Sequence, residues 1–313
     1  MKKLVALFSA SALLLGACGT TGLEGSNTED NGEEEIKSVE RDEMVVGLSV
    51  STLNNPFFVS LEEGVINTAE EEGTDVRTVD AQDDTAKQIN DIDDLIQQDV
   101  DVLLVNPVDS AAIEPAIESA NSAGIPVITL DRSTEGGEVV TLVASDNVEG
   151  GEMAAQYIID LVGEGAVTVQ LEGVPGASAT RERGEGFMNV AEEGLDVVDS
   201  QTANFNRSEG LTVMENMLQS NSDVEAVFAQ NDEMALGALE AIEAAGLADD
   251  IVVVGFDGND DALEAIEAGR MDATIAQQPV EMGRIAMETA FEYFDGEDIE
   301  EYIAAPLELI TNE

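Results

Sequence analysis

From about residue 43 onward, two hydrophobic patterns alternate along the chain. Short runs rich in β-branched residues lead through polar loops into longer stretches with apolar residues at helical spacing. After the first run, Phe58, Leu61, Val65 and Ala69 recur every three or four positions, which predicts a helix with one apolar face. Strands that alternate with helices in this way predict parallel sheets covered on both faces.

The pattern repeats in two halves of similar length. The predicted strands of the first half are Met44–Val50, Asp75–Val79, Val102–Val105, Pro126–Leu130 and Val139–Val143, with helices beginning near Phe57, Thr85, Ser110 and Asp146. Those of the second half are Ala166–Leu171, Asp196–Ser200, Ala226–Ala229, Ile251–Gly255 and Ala273–Ala276, with helices beginning near Ala179, Ser208, Asp232, Asp260 and Pro279. One open sheet of about ten strands would be at the upper limit. We therefore expect an α/β fold of two Rossmann-like lobes, each a parallel sheet of about five to six strands flanked by helices.

The two halves end corresponding strands in the same polar residue types. Asn106 and then Asp131 follow neighbouring strands in the first half, and Asn231 and Asp257 do so in the second. The carboxyl ends of parallel strands border the crevice where open α/β sheets bind ligands. Helix capping alone explains any single one of these residues. It does not explain why Arg132 and Arg183 are predicted in loops at the same ends of the sheets.

The loop after the first strand offers a further candidate ligand surface. Asn55 supplies both a donor and an acceptor for a hydroxyl group, and Phe57 and Phe58 supply aromatic faces for the C–H face of a sugar ring. A Pro-Phe-Phe sequence at a helix start is also typical of a hydrophobic staple, so this stretch alone does not identify a site.

The charge excludes one class of partner. Twelve Lys and Arg against 67 Asp and Glu give a net charge of −55, whereas a nucleic acid backbone needs a basic surface. Since 43% of the residues are apolar, the chain is expected to fold beneath an acidic surface. Such a charge destabilises a compact state in dilute buffer and is screened in concentrated salt. A saline extracellular medium and an acid-rich lineage are both open explanations.

The N-terminus has the features of an exported, lipid-anchored protein. Lys2 and Lys3 precede an uncharged apolar run from Leu4 to Leu15, which suits a secretory signal. The following Leu15-Gly16-Ala17-Cys18 resembles a bacterial lipobox, which implies cleavage before Cys18 and its acylation. An ordinary signal peptide is the alternative. Residues 1–17 are thus expected to be a signal and residues 18–42 a lipidated, acidic, flexible tether. Cys18 is the only cysteine, so no disulfide framework within the chain is possible.

Six motifs together resemble the ribose-binding proteins of bacterial ABC sugar importers, which are type I periplasmic binding proteins. They are Val50–Phe58 (VSTLNNPFF), Ile128–Arg132 (ITLDR), Arg181–Phe187 (RERGEGF), Phe228–Ala238 (FAQNDEMALGA), Val253–Gly258 (VVGFDG) and Ala273–Gln277 (ATIAQ). The similarity runs in order from about Glu43 to the C-terminus.

The resemblance implies a ligand-binding set drawn from both lobes. The implied contacts are Asn55, Phe57, Phe58, Asn106, Asp131, Arg132, Arg183, Phe205, Asn231, Asp257 and Gln277. It implies a three-segment hinge near Ser145–Asn147, Gln277–Gln278 and Pro306. The N-terminal lobe would then comprise residues 43–145 and 278–306, and the C-terminal lobe residues 146–277 and 307–313.

The expected function is that of an extracellular or periplasmic, membrane-anchored receptor. It would bind D-ribose as a monomer, close its hinge and deliver the sugar to an ABC permease and its ATPase complex, with no cofactor and no metal. Allose, galactose, xylose or a furanosyl signalling molecule stay open as ligands. A transcriptional regulator with the same two-lobed sugar sensor would carry a basic helix-turn-helix at its N-terminus. This chain is expected to have a signal and an acidic tether there instead, which disfavours a regulator. An enzyme is disfavoured because the chain has no histidine, and because arginines beside Asp131 and Asp257 are expected to hold their pKa values low.

Overall fold

The computed structural model describes residues 38–312, which form two sheets with helices on both faces. The strands are β1 Val45–Val50, β2 Asp75–Asp80, β3 Val102–Val105, β4 Val127–Leu130, β5 Thr141–Ser145, β6 Ala166–Glu172, β7 Leu195–Thr202, β8 Ala226–Ala229, β9 Val252–Asp257, β10 Ala273–Ala276, β11 Tyr302–Ala305 and β12 Glu308–Thr311. The helices are α1 Pro56–Glu72, α2 Thr85–Gln97, α3 Glu114–Ser122, α4 Asn147–Val162, α5 Ser178–Gly194, α6 Arg207–Ser220, α7 Asp232–Ala245, α8 Asp260–Glu267 and α9 Pro279–Phe294.

Both sheets have the same strand order. The first runs β11-β5-β4-β3-β1-β2 and the second β12-β10-β9-β8-β6-β7. All strand pairs are parallel except that of β12 with β10, which is antiparallel. We call the halves built on these sheets the first and the second lobe. The chain passes between the sheets after β5, after β10 and after β11. The predicted fold class is confirmed.

Each sheet is buried on both faces, as a parallel sheet requires. In β3, Val102 and Leu104 pack into a core with α1 and α9, while Leu103 and Val105 pack into another with α2 and α3. In the second lobe, β8 divides its side chains between two cores in the same way. The chain is therefore fixed on both sides up to the strand ends, where the site residues lie.

Three expectations about the elements were wrong. The two C-terminal strands β11 and β12 were not predicted. Helix α3 begins at Glu114 rather than near Ser110, because the Asp109 carboxylate accepts hydrogen bonds from the Ala111 and Ala112 amides and closes a turn first. Strand β5 begins at Thr141, two residues later than expected.

The end of the predicted tether is held against the first lobe. Arg41–Glu43 form a 3₁₀ turn, and Val39 packs on the core. The Arg41 guanidinium lies 2.7 Å from Asp295 and stacks over the Phe291 ring. The tether predicted to run to Asp42 therefore ends earlier. The predicted signal peptide, Cys18 and the rest of the tether lie outside the described residues. Among the helices of residues 38–312, none has the length and apolarity to cross a membrane.

Candidate ligand-binding site

A cavity lies between the carboxyl ends of the two sheets and is lined by residues of both lobes. Ten of the eleven predicted site residues line it. They are Asn55, Phe57, Phe58, Asp131, Arg132, Arg183, Phe205, Asn231, Asp257 and Gln277. The eleventh, Asn106, lies behind Asp131 and does not line the cavity. Ala179, at the start of α5, completes the wall.

In the first lobe, Asn106 supports the carboxylate at the end of β4. Its side-chain nitrogen donates to Asp131 Oδ2 at 3.3 Å and to the Leu130 carbonyl at 3.1 Å. Its side-chain oxygen accepts from the Ser51 amide at 3.1 Å. Asp131 has a φ of 62°, a left-handed conformation that is uncommon for a residue other than glycine. Asn106 therefore ties the ends of three strands around Asp131.

The sequence reasoning missed Gln88, which holds Asn106 in place. Gln88 Nε2 donates to the Asn106 carbonyl at 2.8 Å, and Gln88 Oε1 accepts from the Val108 amide at 2.8 Å. A signal was present, because Gln88 occupies a buried position on the same face of α2 as Ile92 and Leu95. A polar residue on the apolar face of a helix requires a buried hydrogen-bond partner.

In the second lobe, Arg183 contacts groups from several elements. It lies within helix α5, not in the loop before it as expected. Its Nε donates to Asn147 Oδ1 at 2.8 Å, and its Nη1 donates to the Gln230 carbonyl at 2.7 Å. Its guanidinium lies 3.8 Å from the centre of the Phe256 ring. These partners fix the planar group while it faces the carboxylates of both lobes.

The charged groups of the cavity alternate in sign. Arg183 lies 3.5 Å from Asp257 and 4.0 Å from Asp131, and Arg132 lies 3.5 Å from Asp131. Gln277 Nε2 donates to Asp257 Oδ1 at 2.9 Å. Two carboxylates and two guanidinium groups leave the cavity without net charge.

Three phenylalanine rings enclose this polar set. Phe57 and Phe58 meet edge to face with ring centres 5.2 Å apart. The Arg132 guanidinium lies 5.1 Å from the centre of the Phe58 ring and 5.4 Å from that of Phe205. Phe205, at φ 56°, is seated against Gly173, where an added Cβ would lie 2.0 Å from its ring. The glycine is needed because any larger residue would displace this wall.

The helix-capping explanation is correct for Asn231, and Asn55 caps a helix as well, but capping does not remove either residue from the site. Asn55 Oδ1 accepts from the Phe57 amide and caps α1, and Asn231 Oδ1 accepts from the Met234 amide and caps α7. The Asn231 side-chain nitrogen also donates to the Phe205 carbonyl at 3.3 Å. Both caps fix the amide orientation beside the cavity.

The expectation that the arginines hold the aspartate pKa values low was wrong. Burial raises the pKa of Asp131 and is the largest influence, although Arg132 and Arg183 act in the opposite direction. Burial likewise raises the pKa of Asp257 well above its ordinary value. Two polar atoms of cavity-lining residues, Arg132 Nε and Gln277 Oε1, are buried without a hydrogen-bond partner among the described residues. Such atoms are costly unless a further group satisfies them.

The arrangement is that of a binding site between two lobes, with fixed donors and acceptors inside an apolar enclosure. Among the described residues, no cluster of acidic or sulfur ligands is placed to hold a metal ion. The class defined by this fold and site is the two-lobed solute-binding protein.

The chain belongs to the periplasmic binding protein domain family, whose sequence profile matches residues 46–298. It is 54% identical to the ribose import binding protein of Bacillus subtilis (strain 168) over 312 residues, 99% of each chain. A Caulobacter myo-inositol binding protein bound to myo-inositol superposes with a TM-score of 0.82 at 35% identity, covering 86% of this chain and 93% of that one.

A second solved structure is a periplasmic solute binding protein of an ABC transporter from Actinobacillus succinogenes 130z with bound D-allose. It has a TM-score of 0.80 and 31% identity, and the match covers 86% of this chain and 98% of that one. The family is one of substrate-binding transport proteins and not of enzymes, which agrees with the expectation from the sequence. The chain is thus a periplasmic or extracellular binding protein of an ABC importer.

Proposed function

We propose that this protein binds D-ribose between its two lobes and delivers it to the permease and ATPase of an ABC importer. The observation that carries the proposal is the cavity itself, which joins charged and aromatic groups from both lobes. The 54% identity to a ribose import binding protein over nearly the whole chain favours ribose as the sugar.

The balance of charge in the cavity suits a neutral polyol. Asp131 and Asp257 can accept hydrogen bonds from hydroxyl groups, while Arg132 and Arg183 donate in a rigid planar geometry. A sugar phosphate would favour an excess of positive charge, which this cavity lacks. Phe57, Phe58 and Phe205 can cover the apolar faces of a ring and exclude water. The eleven predicted ligand residues divide accordingly into ten direct contacts and Asn106, which acts through Asp131.

The second candidate is the same kind of receptor with another polyol ligand. Solved relatives of the same fold hold D-allose and myo-inositol, so this architecture accommodates polyols with different hydroxyl patterns. A missing or inverted hydroxyl leaves a buried partner unsatisfied and costs about 1–3 kcal/mol. Selectivity among these ligands then depends on which buried groups each sugar leaves without a partner.

Titration calorimetry in molar salt tests the proposal, using the soluble protein of residues 19–313 with D-ribose, D-allose, D-xylose, D-galactose and myo-inositol. We expect one-to-one binding of ribose that is at least about tenfold tighter than that of any other ligand. A folded protein that prefers another sugar would establish the second candidate. A folded protein that binds none of them would overturn the assignment of the cavity.

The contacts between the lobes support closure around a ligand. The Ser110 amide of the first lobe donates to the Gly176 carbonyl of the second at 2.9 Å. Ser178, at the start of α5, accepts from the Ser133 amide through its hydroxyl oxygen at 3.0 Å, and its own amide donates to the Ser110 hydroxyl at 3.2 Å. These contacts are made at the rim of the cavity, where they would keep a bound ligand from solvent. We also propose that the protein acts as a monomer.

The lipid anchor is part of the same proposal. Acylation of Cys18 after signal cleavage would hold the receptor on the outer face of the cell membrane, because two acyl chains anchor a protein stably. Mass spectrometry of the N-terminal peptide is expected to show a diacylglyceryl group on Cys18. A free thiol on a cleaved chain, with release into the medium, would contradict this.

The acidic surface supports the hypothesis that the protein works in a saline medium. With a net charge of −55, repulsion is strong at low salt and is screened when the Debye length falls to about 3 Å at 1 M. The melting temperature is expected to rise between low and molar sodium chloride. A melting temperature that stays flat or falls would favour an acid-rich lineage without salt dependence.

A further inference from the structure

Asp232 is a buried carboxylate next to the site that the binding proposal does not use. It follows Asn231 at the start of α7, is 0% exposed and does not line the cavity. Its Oδ2 accepts from the Gly258 amide at 2.7 Å and from the Asn259 amide at 2.8 Å, and its Oδ1 accepts from the Thr274 hydroxyl at 2.7 Å. Each of these partners lies outside its own helix.

The two amides belong to the residues that follow Asp257 at the end of β9. Asp257 has a φ of 124° and Gly258 a φ of 79°. A residue other than glycine in such a conformation costs about 1–3 kcal/mol and persists only when its surroundings hold it there. The Asp232 carboxylate supplies that restraint through two consecutive backbone amides.

The fold makes space for this carboxylate. Gly255 of β9 pairs with Thr274 of β10, and a Cβ added at Gly255 would lie 2.3 Å from Asp232 Oδ1. The cap of α7 is already provided by Asn231. Burial of Asp232 raises its pKa to about 7, so its position carries a cost in the free energy of folding that capping does not explain.

We infer that Asp232 is a positioning residue for sugar binding, holding the Gly258–Asn259 backbone so that the Asp257 carboxylate faces the cavity. This inference rests on the proposed function for its effect on affinity. The expected effect of Asp232 on the backbone does not depend on the proposed function. Asp232 touches no ligand in this account and acts only through Asp257.

The test compares Asp232→Ala with Asp232→Asn in calorimetric titrations of D-ribose. Asp232→Ala leaves two amides without an acceptor, and we expect ribose affinity to fall by about tenfold or more. Asparagine can accept from both amides through its oxygen while its nitrogen donates to the Thr274 hydroxyl. We therefore expect Asp232→Asn to keep the affinity within about threefold of the wild type.

A double-mutant cycle with Asp257→Asn separates positioning from a general loss of stability. If Asp232 acts through Asp257, Asp232→Ala will weaken binding much less in the Asp257→Asn background than in the wild type. Asp272→Ala is the control, since the Asp272 carboxylate accepts from the Val253 amide near the start of β9, at the opposite end of the strand from Asp257. It should lower the melting temperature without changing ribose affinity.

Hydrogen exchange of the 256–260 segment tests the same inference without a ligand. The Gly258 and Asn259 amides are expected to exchange about tenfold faster or more in Asp232→Ala, and near the wild-type rate in Asp232→Asn. If Asp232→Ala does not fold, Thr274→Val, which removes one donor to the carboxylate, must show the same faster exchange in smaller degree.

Unchanged exchange in whichever of these variants folds, or additive effects in the cycle, would overturn the inference. If the wild-type protein binds no ribose but the Gly258 and Asn259 amides still exchange faster in Asp232→Ala, the proposed ligand is overturned. The positioning of the loop by Asp232 would then still stand.

Discussion

The two lobes place an aspartate at corresponding strand ends and support it with different chemistry. In the first lobe, the neutral amide of Asn106 donates directly to Asp131. In the second, the neutral amide of Gln277 donates to Asp257, and the ionisable carboxylate of Asp232 in addition accepts from the backbone that follows Asp257. Both aspartates have a positive φ, 62° in one lobe and 124° in the other. The lobes therefore repeat the aspartate that faces the cavity, whereas the groups that support this aspartate differ.

This difference indicates that the supports of the two aspartates respond differently to pH. A neutral amide holds its partner at any pH, whereas a buried carboxylate holds its partners only at the cost of being desolvated. Arg183 links the two arrangements, because its guanidinium faces both Asp131 and Asp257. Variants of the linking residue should therefore have the largest effects, and variants of one support should affect mainly its own lobe.

Arg183→Met is expected to have the largest effect. It leaves two buried carboxylates without their shared cation, and removal of one partner from a buried charge pair costs several kcal/mol. We expect ribose affinity to fall by about a hundredfold or more in calorimetry. The control is Arg270→Met, whose exposed ion pair with Glu243 lies within the second lobe and should matter little. Similar losses from both variants would refute the linking role.

Asn106→Ala tests the support in the first lobe. It leaves the Ser51 amide and Asp131 without a buried partner, so we expect the free energy of unfolding to fall by about 1–3 kcal/mol, with weaker ribose binding as well. Denaturant unfolding and calorimetry measure the two effects. Asn90→Ala, at an exposed position on α2, should change neither. Intact affinity in a destabilised Asn106→Ala protein would show that Asp131 needs no such support.

The pH dependence of stability tests the support in the second lobe. Burial raises the pKa of Asp232 to about 7 from 3.8, so the folded protein binds this proton more tightly than the unfolded chain does. Its contribution to the free energy of unfolding is fully present below about pH 4 and is lost as the pH rises to about 7.

Relative to the wild type, Asp232→Asn should therefore become more stable with rising pH over that interval. Asp257 adds to this difference in the same direction, because the charge of Asp232 raises the pKa of Asp257 and is absent from Asp232→Asn. A stability difference that stays constant from pH 4 to pH 7 would contradict the assignment.

Ser178→Ala should have the smallest effect. It removes the hydroxyl that accepts from the Ser133 amide across the cavity rim, a contact present only when the lobes meet. We expect ribose affinity to fall by about three- to tenfold with little change in the melting temperature of the unliganded protein. Ser119→Ala, on the exposed face of α3, is the matched control.

The sequence predicted the fold and most of the cavity-facing residues because both leave local signals. Alternating strand and helix periodicity gave the two sheets, and the repeated Asn and Asp at strand ends marked the crevice. Resemblance to a known family supplied Phe205 and Gln277, which have no local signal of their own. Strands β11 and β12 were not predicted because they are short and lie at the sheet edges, where burial does not impose a strong hydrophobic pattern on the sequence.

The supporting residues were harder to predict because their partners are distant in the chain. Gln88 holds a strand end 18 residues away, and Asp232 holds a loop 26 and 27 residues away. In the sequence, Asp232 has the position of an ordinary acidic residue at the start of a helix. Its local sequence therefore does not distinguish a supporting residue from a residue that only stabilises the helix end. The pKa direction of Asp131 and Asp257 was also missed, because burial outweighs the neighbouring arginines and cannot be judged from sequence spacing.

The most direct test of the central claim is a crystal structure of the protein with D-ribose. The account predicts one sugar between the lobes, with hydroxyl groups within hydrogen-bond distance of both Asp131 and Asp257 and a ring face against the phenylalanines. A sugar that contacts only one lobe, or that binds outside this cavity, would contradict it.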